Sequence, residues 1–391
     1  MKLVVIGLGQ CGGRIADEFS RLNRKALSQR GIEVITSIFA INTDIADLSG
    51  LKRIKPDYRH RILIGGRKTG GHGVGKINEL GAEVAKEDAD KVIDAIRTSS
   101  VMSEVDAFLL IAGAGGGTGS GAIPVMTQYV RERFADKPAY TLLVLPFDHE
   151  EQTEDRTIYN AATCLKSTYL VADAVILIDN QRYINEGAAL RTNMSNINAR
   201  IVEPFYNLLC AGEEKKARYI GTKLLDAGDI IQTLAGWTTI GYSQSRVSLL
   251  RAISQKARDF RKKASETQKG IQAMDGAISH LSLKCKPSDA RRALYLISAP
   301  AKEMNIDLIK ELGIHLKSIA PEAIIRSGDY PRYKGSLDVS LILSELRDAA
   351  KVRNYFTKAL NLISTLKKRQ EGLETDRLGI DVSLKDIPSL L

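Results

Sequence analysis

Three glycine-rich stretches contain the residues that are best suited to bind an anion such as phosphate. The densest is AGAGGGTGSGA at 112–122, where six of the nine residues from 113 to 121 are glycine. So many glycines are unfavourable inside a helix or a strand, but they let the backbone curl around an anion and point N–H groups at it. Thr118 and Ser120 add hydroxyls. Because an apolar run precedes this stretch and a helix-like segment follows it, we predict a phosphate-binding loop rather than a flexible turn.

The second stretch, GLGQCGGR at 7–14, directly follows the first apolar run and contains the G-x-G-x-x-G spacing at Gly7, Gly9 and Gly12. Alone, this motif fits a dinucleotide-binding enzyme equally well, so a nicotinamide-dependent oxidoreductase is an alternative. Asp44 would be its ribose-binding acid. However, Asp44 lies beyond the position about 20 residues on at which that acid is expected.

The third stretch, GRKTGGHGVGKI at 66–77, satisfies the G-x-x-x-x-G-K spacing through Gly70, Gly75 and Lys76. A P-loop needs Ser or Thr after the lysine to reach magnesium, and Ile77 stands there instead. We therefore reject a P-loop and predict a further loop that contacts phosphate.

Apolar strand-like runs alternate with helix-like segments in the first half of the chain, which is the rhythm of a doubly wound parallel sheet. The strand candidates are 2–7, 34–41, 61–64, 106–113, 140–146 and 173–179, and the helices include one from about Arg14, 77–96, 123–134 and 156–168. The predicted fold is α/β: a Rossmann-like domain, a long central helix, and a smaller carboxyl-terminal α/β domain with a mixed sheet.

The second half starts with a helix candidate at about 193–212, continues with a shorter helix after Asp226, and then alternates strands and helices again. The strand candidates there are 236–243, 292–299, 322–330 and 336–343. We predict four parts: a nucleotide-binding domain at 1–190, the central helix with an acidic loop at 191–235, a second α/β domain at 236–368, and a tail at 369–391.

Composition narrows the possible classes of protein. The formal net charge is +10, and the densest basic stretch, 251–263, contains Phe260 as its only aromatic residue. A base-stacking platform for nucleic acid is therefore not indicated, although a nucleic-acid or membrane-surface binder using this stretch is an alternative. No apolar run approaches the roughly 18 residues of a membrane span, and the start does not read as a signal peptide. We expect a cytoplasmic protein.

The four cysteines are widely scattered, at Cys11, Cys164, Cys210 and Cys285, with no CxxC pair or His/Cys cluster. This pattern favours a reducing compartment and indicates no metal site made by protein side chains alone.

The segment GGGTGSG at 115–121 resembles the signature of the tubulin/FtsZ superfamily, and further motifs agree in order along roughly residues 1–245. They are GQCG at 9–12, NTD at 42–44, GHGVGKINELG at 71–81, PF at 146–147 with Glu150 and Arg156, DN at 179–180, and IN at 197–198. GQCG and DN are similar to tubulin, whereas NTD and PF are similar to FtsZ. This mixture looks like CetZ, the archaeal tubulin-like group associated with cell shape. A divergent archaeal FtsZ that serves cell division is the alternative.

The resemblance implies that the chain binds GTP and GDP, with Mg²⁺ held through the nucleotide. The implied phosphate-binding residues are Gly9, Gln10, Cys11, Gly12, Arg14, Gly71, Gly73, Gly75, Lys76, Ala114, Gly115, Gly116, Gly117, Thr118, Gly119 and Ser120. The implied ribose- and guanine-binding residues are Asp44, Glu150, Arg156, Asn180 and Asn198, with Glu151 or Glu154 as alternatives to Glu150. FtsZ has a small residue where Lys76 stands.

The guanine assignment also has a basis in the residues themselves. An Asn amide presents a donor and an acceptor together, which suits the edge of guanine. Asn180 and Asn198 could supply such amides from two elements. The alternative for each is a helix cap or a solvated turn.

Asp226 and Asp229 are three residues apart in LLDAGDIIQTL at 224–234, so both carboxylates share one face of a helix. Capping of the helix amino terminus is the simple interpretation. LDAGD also resembles the acidic loop that superfamily members insert into the nucleotide pocket of the next subunit, where it orients the attacking water. Leu224 stands where FtsZ has an asparagine.

This resemblance implies an assembly-dependent GTPase whose main partner is a second copy of itself in a longitudinal filament. It also implies that the tail, which ends in LKDIPSLL, could contact division or shape proteins. A disordered end is the alternative for the tail.

Overall fold

The computed structural model describes residues 1–184, 190–245, 259–301, 304, 306–332 and 336–362. The strands are β1 Leu3–Leu8, β2 Ile35–Asn42, β3 Arg61–Leu63, β4 Ala107–Gly113, β5 Ala139–Leu145, β6 Ala174–Asp179, β7 Gly236–Ser245, β8 Arg292–Ser298, β9 Ile324–Asp329 and β10 Leu337–Ser344. The helices are α1 Gly9–Arg30, α2 Ile45–Ser49, α3 Gly66–Thr69, α4 Asn78–Glu87, α5 Ala89–Ser99, α6 Thr118–Arg133, α7 Asp148–Thr153, α8 Asp155–Val171, α9 Leu190–Ala211, α10 Ala227–Thr233, α11 Asp259–Ser279, α12 Ile306–Ile319 and α13 at 350–362.

All ten strands pair in the order β3-β2-β1-β4-β5-β6-β7-β10-β8-β9. Strands β1 to β6 are parallel to their neighbours, whereas β10 is antiparallel to both β7 and β8. Strand β7 joins the two parts because it pairs with β6 from Ala174↔Gly236 to Ile176↔Thr238. The predicted α/β fold with a doubly wound part and a mixed part is confirmed, and the mixed part continues the parallel sheet.

Helices cover both faces of the parallel part, which explains why its strands read as continuous apolar runs. On one face, Val5 of β1 shares a core with Phe19 of α1 and Phe205 of α9. On the other face, Ile6 shares a core with Ile123 of α6 and with α4, α5, α8 and α13. Alternate residues of β1 therefore enter opposite cores.

Helix α9 connects the two parts of the molecule. Its 22 residues span about 33 Å. Phe205 packs against Phe19 of α1 with ring centroids 5.2 Å apart. The core that contains these rings also includes Leu296 of β8 and Ile342 of β10, so the mixed sheet packs on the same helix.

The carboxyl ends of β1, β2, β4, β5 and β6 lie at one edge of the sheet. The start of β7 lies at the opposite edge, because Gly236 pairs with Ala174, the first residue of β6. Helix α10, which immediately precedes β7, therefore lies near the amino edge. Along α9 the chain travels from the first edge towards the second.

Several predicted element boundaries were wrong by a few residues. Helix α1 begins at Gly9 rather than near Arg14, and α6 begins at Thr118, before the predicted 123. The glycine content predicts loops at both segments, but the later residues of each segment already form the first turn of the helix. The single helix predicted at 77–96 is two helices, separated at Asp88, whose carboxylate accepts a hydrogen bond from the Gly65 N–H at 2.6 Å.

Two predicted features lie outside the described residues: the basic side chains of 251–263 and the tail at 369–391. Among the helices that are described, none is long and apolar enough to cross a membrane.

Candidate functional site

A cleft of about 380 Å³ lies at the carboxyl edge of the parallel sheet, where open α/β sheets bind ligands. The loops after β1, β2, β4, β5 and β6 line it, together with α9. Most of the predicted site residues meet there: Gly9, Gln10, Cys11, Arg14, Asp44, Gly73, Lys76, Gly115, Gly116, Gly117, Thr118, Gly119, Glu150, Asn180 and Asn198.

The loop 113–117 forms the floor of the cleft and leads into α6. It is held by the Ala114 N–H, which donates to the Val144 carbonyl at 2.8 Å. Within the described part of the chain, the N–H groups of residues 115–117 donate no hydrogen bond to protein. A Cβ added at Gly116 would have open space around it. Free N–H groups beside a helix amino terminus make this loop suitable for an anion.

Helix α1 also points its amino terminus at the cleft. Gly9, its first residue, has φ +70°, and an added Cβ would lie 2.8 Å from the Gly119 nitrogen. The two glycine loops therefore approach each other so closely that Gly9 has no room for a side chain. The amino-terminal ends of two helices converge on one cavity as a result.

Five predicted phosphate-binding residues are not among the described residues that line the cleft, and Gly12 and Ser120 show what two of them do instead. A Cβ at Gly12 would lie 2.0 Å from the Ile111 carbonyl oxygen, so Gly12 lets α1 pack directly on β4. The Ser120 hydroxyl donates back to the carbonyls of Gly116 and Gly117. The five are Gly12, Gly71, Gly75, Ala114 and Ser120.

The loop 70–77 reaches the cleft through Gly73 and Lys76. Its turns need left-handed backbone, with φ +80° at Gly71 and +81° at Gly73. Lys76 has φ +61°, which a residue other than glycine seldom adopts. Its ammonium pairs with the Glu154 carboxylate and lies 3.5 Å from the Thr157 hydroxyl.

Arg156, predicted at the ribose side, forms an ion pair with Glu79 of α4 and lies over the Tyr159 ring, 5.0 Å from its centroid. It is not one of the described residues that line the cleft. Glu150 does line it, and its carboxylate accepts a hydrogen bond from the Phe147 N–H at 2.9 Å. Asp44 caps α2 by accepting from the Asp47 N–H at 3.0 Å.

The two predicted guanine-binding amides reach the cleft from different elements. Asn180 begins the short 3₁₀ helix Asn180–Tyr183 after β6, whereas Asn198 lies on α9 beside Ile197. The preceding Asp179 fixes this turn, because its carboxylate accepts from the Gln181 N–H at 3.2 Å and from Lys351 of α13 at 2.7 Å. Two amides and apolar side chains thus line the part of the cleft formed by the segment after β6 and by α9.

Sequence reasoning missed several polar residues around the cleft. Asn42 and Asp47 line it, and the Thr43 hydroxyl lies 2.6 Å from the Thr118 hydroxyl, which links the loops after β2 and β4. Thr157 also lines it. A signal was available for Asn42 and Thr43, because polar residues at the carboxyl end of a buried strand lie at the ligand-binding edge.

Cys11 lies in the cleft as a neutral thiol. Burial, with a smaller contribution from the Glu150 carboxylate, raises the pKa of the Cys11 thiol to about 12. A thiol with this pKa is not an effective nucleophile near neutral pH.

Asp226 and Asp229 lie far from the cleft, beyond the other end of α9. Asp226 is the exposed amino-terminal cap of α10 and accepts from the Asp229 N–H at 2.9 Å. Asp229 pairs with Arg326 of β9, with Nε and Oδ1 3.5 Å apart. Asp226 therefore caps α10, as the simple interpretation of the sequence predicts, and it remains exposed to solvent.

Comparison with known proteins agrees with this architecture. Residues 2–187 match the family described as Tubulin/FtsZ family, GTPase domain, and residues 187–361 match Tubulin-like CetZ, C-terminal domain. The tubulin-like protein CetZ1 of Haloferax volcanii is 34% identical over 346 residues, which cover 85% of this chain and 84% of that protein. CetZ3 of the same organism is 31% identical over 95% of both chains.

This chain belongs to the CetZ family of tubulin-like proteins. The resemblance to CetZ in the sequence motifs is therefore confirmed, and family membership favours the tubulin-like interpretation over a nicotinamide-dependent enzyme.

Solved CetZ structures share the whole fold. CetZ1 from Haloferax volcanii, described as a GDP-bound monomer, has a TM-score of 0.79 and 30% identity and covers 93% of this chain and 99% of its own. CetZ2 from that organism, described as a GTPγS-bound protofilament, has a TM-score of 0.81 and 27% identity, covering 94% and 100%. An FtsZ structure from M. jannaschii, at 22% identity and a TM-score of 0.66, shows the shared fold.

Proposed function

We propose that this CetZ-family chain binds GTP and GDP in the cleft, assembles head to tail into cytoplasmic filaments, and hydrolyses GTP where one subunit meets the next. Two relatives support this assignment: a CetZ1 structure is described as bound to GDP, and a CetZ2 structure as a protofilament bound to GTPγS. We assign the filaments to control of cell shape, in keeping with CetZ.

The cleft has groups for each part of the nucleotide. The phosphates would lie against the free N–H groups of residues 115–117 and the amino termini of α1 and α6. Asp44 and Glu150 would contact the ribose, and the amides of Asn180 and Asn198 would select guanine.

Magnesium would reach this site with the phosphates. Among the described residues no group of three or more His, Cys, Asp or Glu side chains could hold a metal alone. Gln10, Asp44 and Asp47 nevertheless line the cleft with the oxygen donors that Mg²⁺ prefers. When bound, the ion would reduce the negative charge on the phosphates.

The observation that carries the proposal is the separation of the cleft from the acidic pair. Asn198 lines the cleft and lies 13 residues before the end of α9 at Ala211, whereas Asp226 lies beside Gly212 just beyond that end, so about 20 Å of helix separates them. No rotation of a side chain bridges that distance. A second copy stacked end to end would bring its own Asp226 and Asp229 to the cleft of the first.

In this assembly the two carboxylates would accept hydrogen bonds from a water molecule and align it with the γ-phosphorus. The P–O bond to the β-phosphate breaks as the water oxygen bonds to phosphorus. Alignment is the main contribution of the acids, and the backbone N–H groups and Lys76 would balance charge in the transition state. Because the contact joins two different surfaces, it repeats without closing and produces a filament.

Mixing two disabled variants tests this proposal. Asp226→Asn removes the charge of the acidic loop, whereas Gly116→Asp places a carboxylate in the phosphate site at a position with room for a side chain. Each variant alone should hydrolyse GTP very slowly. An equimolar mixture should recover up to about a quarter of wild-type turnover, because roughly one contact in four then joins an intact cleft to an intact acidic pair.

Wild-type specific activity should also rise with protein concentration, and GTP should raise the melting temperature where NAD does not. A mixture as inactive as its components, beside an active wild type, would contradict a shared site. Failure of the wild type to prefer GTP over NAD would contradict the nucleotide assignment.

A further inference from the structure

Asn160 lies between the two loops that would hold the phosphates. It is on α8 and is completely buried. Its Nδ2 lies 2.9 Å from the Lys76 carbonyl oxygen, 2.9 Å from that of Gly116 and 3.3 Å from that of Gly115. One side-chain amide therefore binds backbone carbonyls from both the 70–77 loop and the 113–117 loop.

The orientation of this amide is determined by its neighbours. If the amide were reversed, Oδ1 would face three carbonyl oxygens with no hydrogen between them. In the observed orientation Oδ1 is buried and has no hydrogen-bond partner among the described residues. A buried polar atom without a partner is costly, and the hydrogen bonds donated by the Asn160 N–H groups offset that cost.

The direction of these carbonyls decides where the N–H groups of the loop point. In a trans peptide the C=O of one residue and the N–H of the next point in opposite directions. Carbonyls of Gly115 and Gly116 that face Asn160 therefore direct the N–H groups of Gly116 and Gly117 away from it, towards the cleft. The plane of a peptide bond between two glycines can flip easily, and a flipped peptide would direct its carbonyl oxygen towards the phosphates.

We propose that Asn160 is a positioning residue that sets the polarity of the phosphate-binding loops by binding their carbonyls on the side away from the nucleotide. This inference rests on the proposed function, since it concerns the same cleft. Asn160 does not line the cleft. Its contribution should therefore grow with the number of phosphates on the ligand and be small for the base and ribose.

Asn160→Asp is the sharpest test, because it keeps the shape and places a carboxylate against the three carbonyls. We expect affinity for GTPγS to fall about 10- to 100-fold, affinity for GDP to fall less, and affinity for guanosine to stay within about threefold. Competition against a fluorescent GTP analogue measures all three. Binding by the variant should partly recover as pH is lowered, because a protonated Asp regains one donor.

Asn207→Asp provides the matched control. Asn207 is 3% exposed, lies on α9 and does not line the cleft, so this change also introduces a buried acid, but on the other face of the sheet from Asn160. We expect it to lower the melting temperature without changing the ratio of GTPγS to guanosine affinity. Asn160→Ala removes the donors without adding charge and should show the same ligand dependence as Asn160→Asp.

Three results would overturn the inference while leaving the proposed function intact. A folded Asn160 variant could bind GTPγS like the wild type, or it could lose affinity for guanosine and GTPγS equally, which is the mark of a merely structural role. If neither variant folds, a crystal structure of the wild type with GTPγS would show which way the carbonyls of Gly115 and Gly116 face. Carbonyls of Gly115 or Gly116 facing the phosphates would then overturn it. A wild type that does not bind GTP would instead reject the proposed function.

Discussion

The cleft and the acidic loop are built in opposite ways. The residues behind the cleft are buried and joined across elements, as with Asn160, which is fully buried, and Ser120, which is 1% exposed. The acidic loop is exposed at Asp226, and its neighbour Leu224 is 47% exposed. The Asp226 carboxylate accepts one capping hydrogen bond, and Asp229 makes one ion pair across to β9.

The two halves of the proposed reaction need different physical properties. The N–H groups that would bind a polyphosphate must be oriented towards it before it arrives. The buried residues behind the cleft can fix that orientation. In the proposed assembly the carboxylates would meet a second molecule, and the Asp226 carboxylate is exposed at the far end of α9. Hydrolysis would then wait for assembly because neither half is complete alone.

The largest effect is expected at the acidic loop. Asp226→Asn should lower GTP turnover at least about 100-fold, because the carboxylate no longer orients water. GTP affinity should stay unchanged, and filaments should last longer. Asn caps helices as well as Asp, so the melting temperature should hardly move. Turnover, binding and thermal unfolding measured on one preparation would separate these effects, and wild-type turnover in the variant would remove the acid from the mechanism.

A smaller effect is expected at the edge of the cleft, where Lys76 pairs with Glu154 and both side chains are 42% exposed. Phosphate and Glu154 would compete for the same ammonium. Glu154→Gln should therefore raise the affinity for GTPγS relative to GDP by about two- to fivefold, which matches the free energy of an exposed ion pair. Calorimetric titration with both nucleotides measures this ratio.

Glu79→Gln is the control for that variant, because it breaks the neighbouring ion pair to Arg156 without changing a residue that lines the cleft. It should leave the nucleotide ratio unchanged. A Glu154→Gln protein with weaker GTPγS binding would show that Glu154 supports the site rather than competing with the ligand.

The smallest effect is expected from Arg326→Gln, which removes the partner of Asp229. Arg326 and Asp229 are partly exposed, so the free energy of unfolding should fall by less than about 1 kcal/mol. Turnover should stay within about threefold of wild type. Chemical denaturation and a GTPase assay measure the two quantities. If turnover fell as far as in Asp226→Asn, Arg326 itself would belong to the catalytic half.

Much of the fold and of the cleft could be predicted because the signals are local. A buried strand, a glycine loop and a helix are adjacent in the chain, and parallel strands all end at one edge. The loops at 7–14 and 112–122, and both Asn180 and Asn198, therefore meet in the structure as predicted. The roles of these residues in nucleotide binding stay predictions.

Other features depend on packing between distant segments. Nothing in the sequence around Arg156 indicates that Glu79 pairs with it, or that Lys76 pairs with Glu154. Helix boundaries were also missed where glycines begin a helix. The two ion pairs depend on how closely α8 approaches α4 and the 70–77 loop, which the local sequence pattern does not indicate.

The order of the candidate groups along the chain can be read from the sequence alone: glycine-rich loops suited to an anion, amides suited to a base, and a separate pair of carboxylates. Packing in three dimensions places the carboxylates at the other end of α9 from the cleft and brings the Asn160 amide against carbonyls of both the 70–77 and the 113–117 loops. The reason is physical. Residue type and local spacing limit what a segment can bind, whereas the distances between segments arise from the packing of the sheet and its helices.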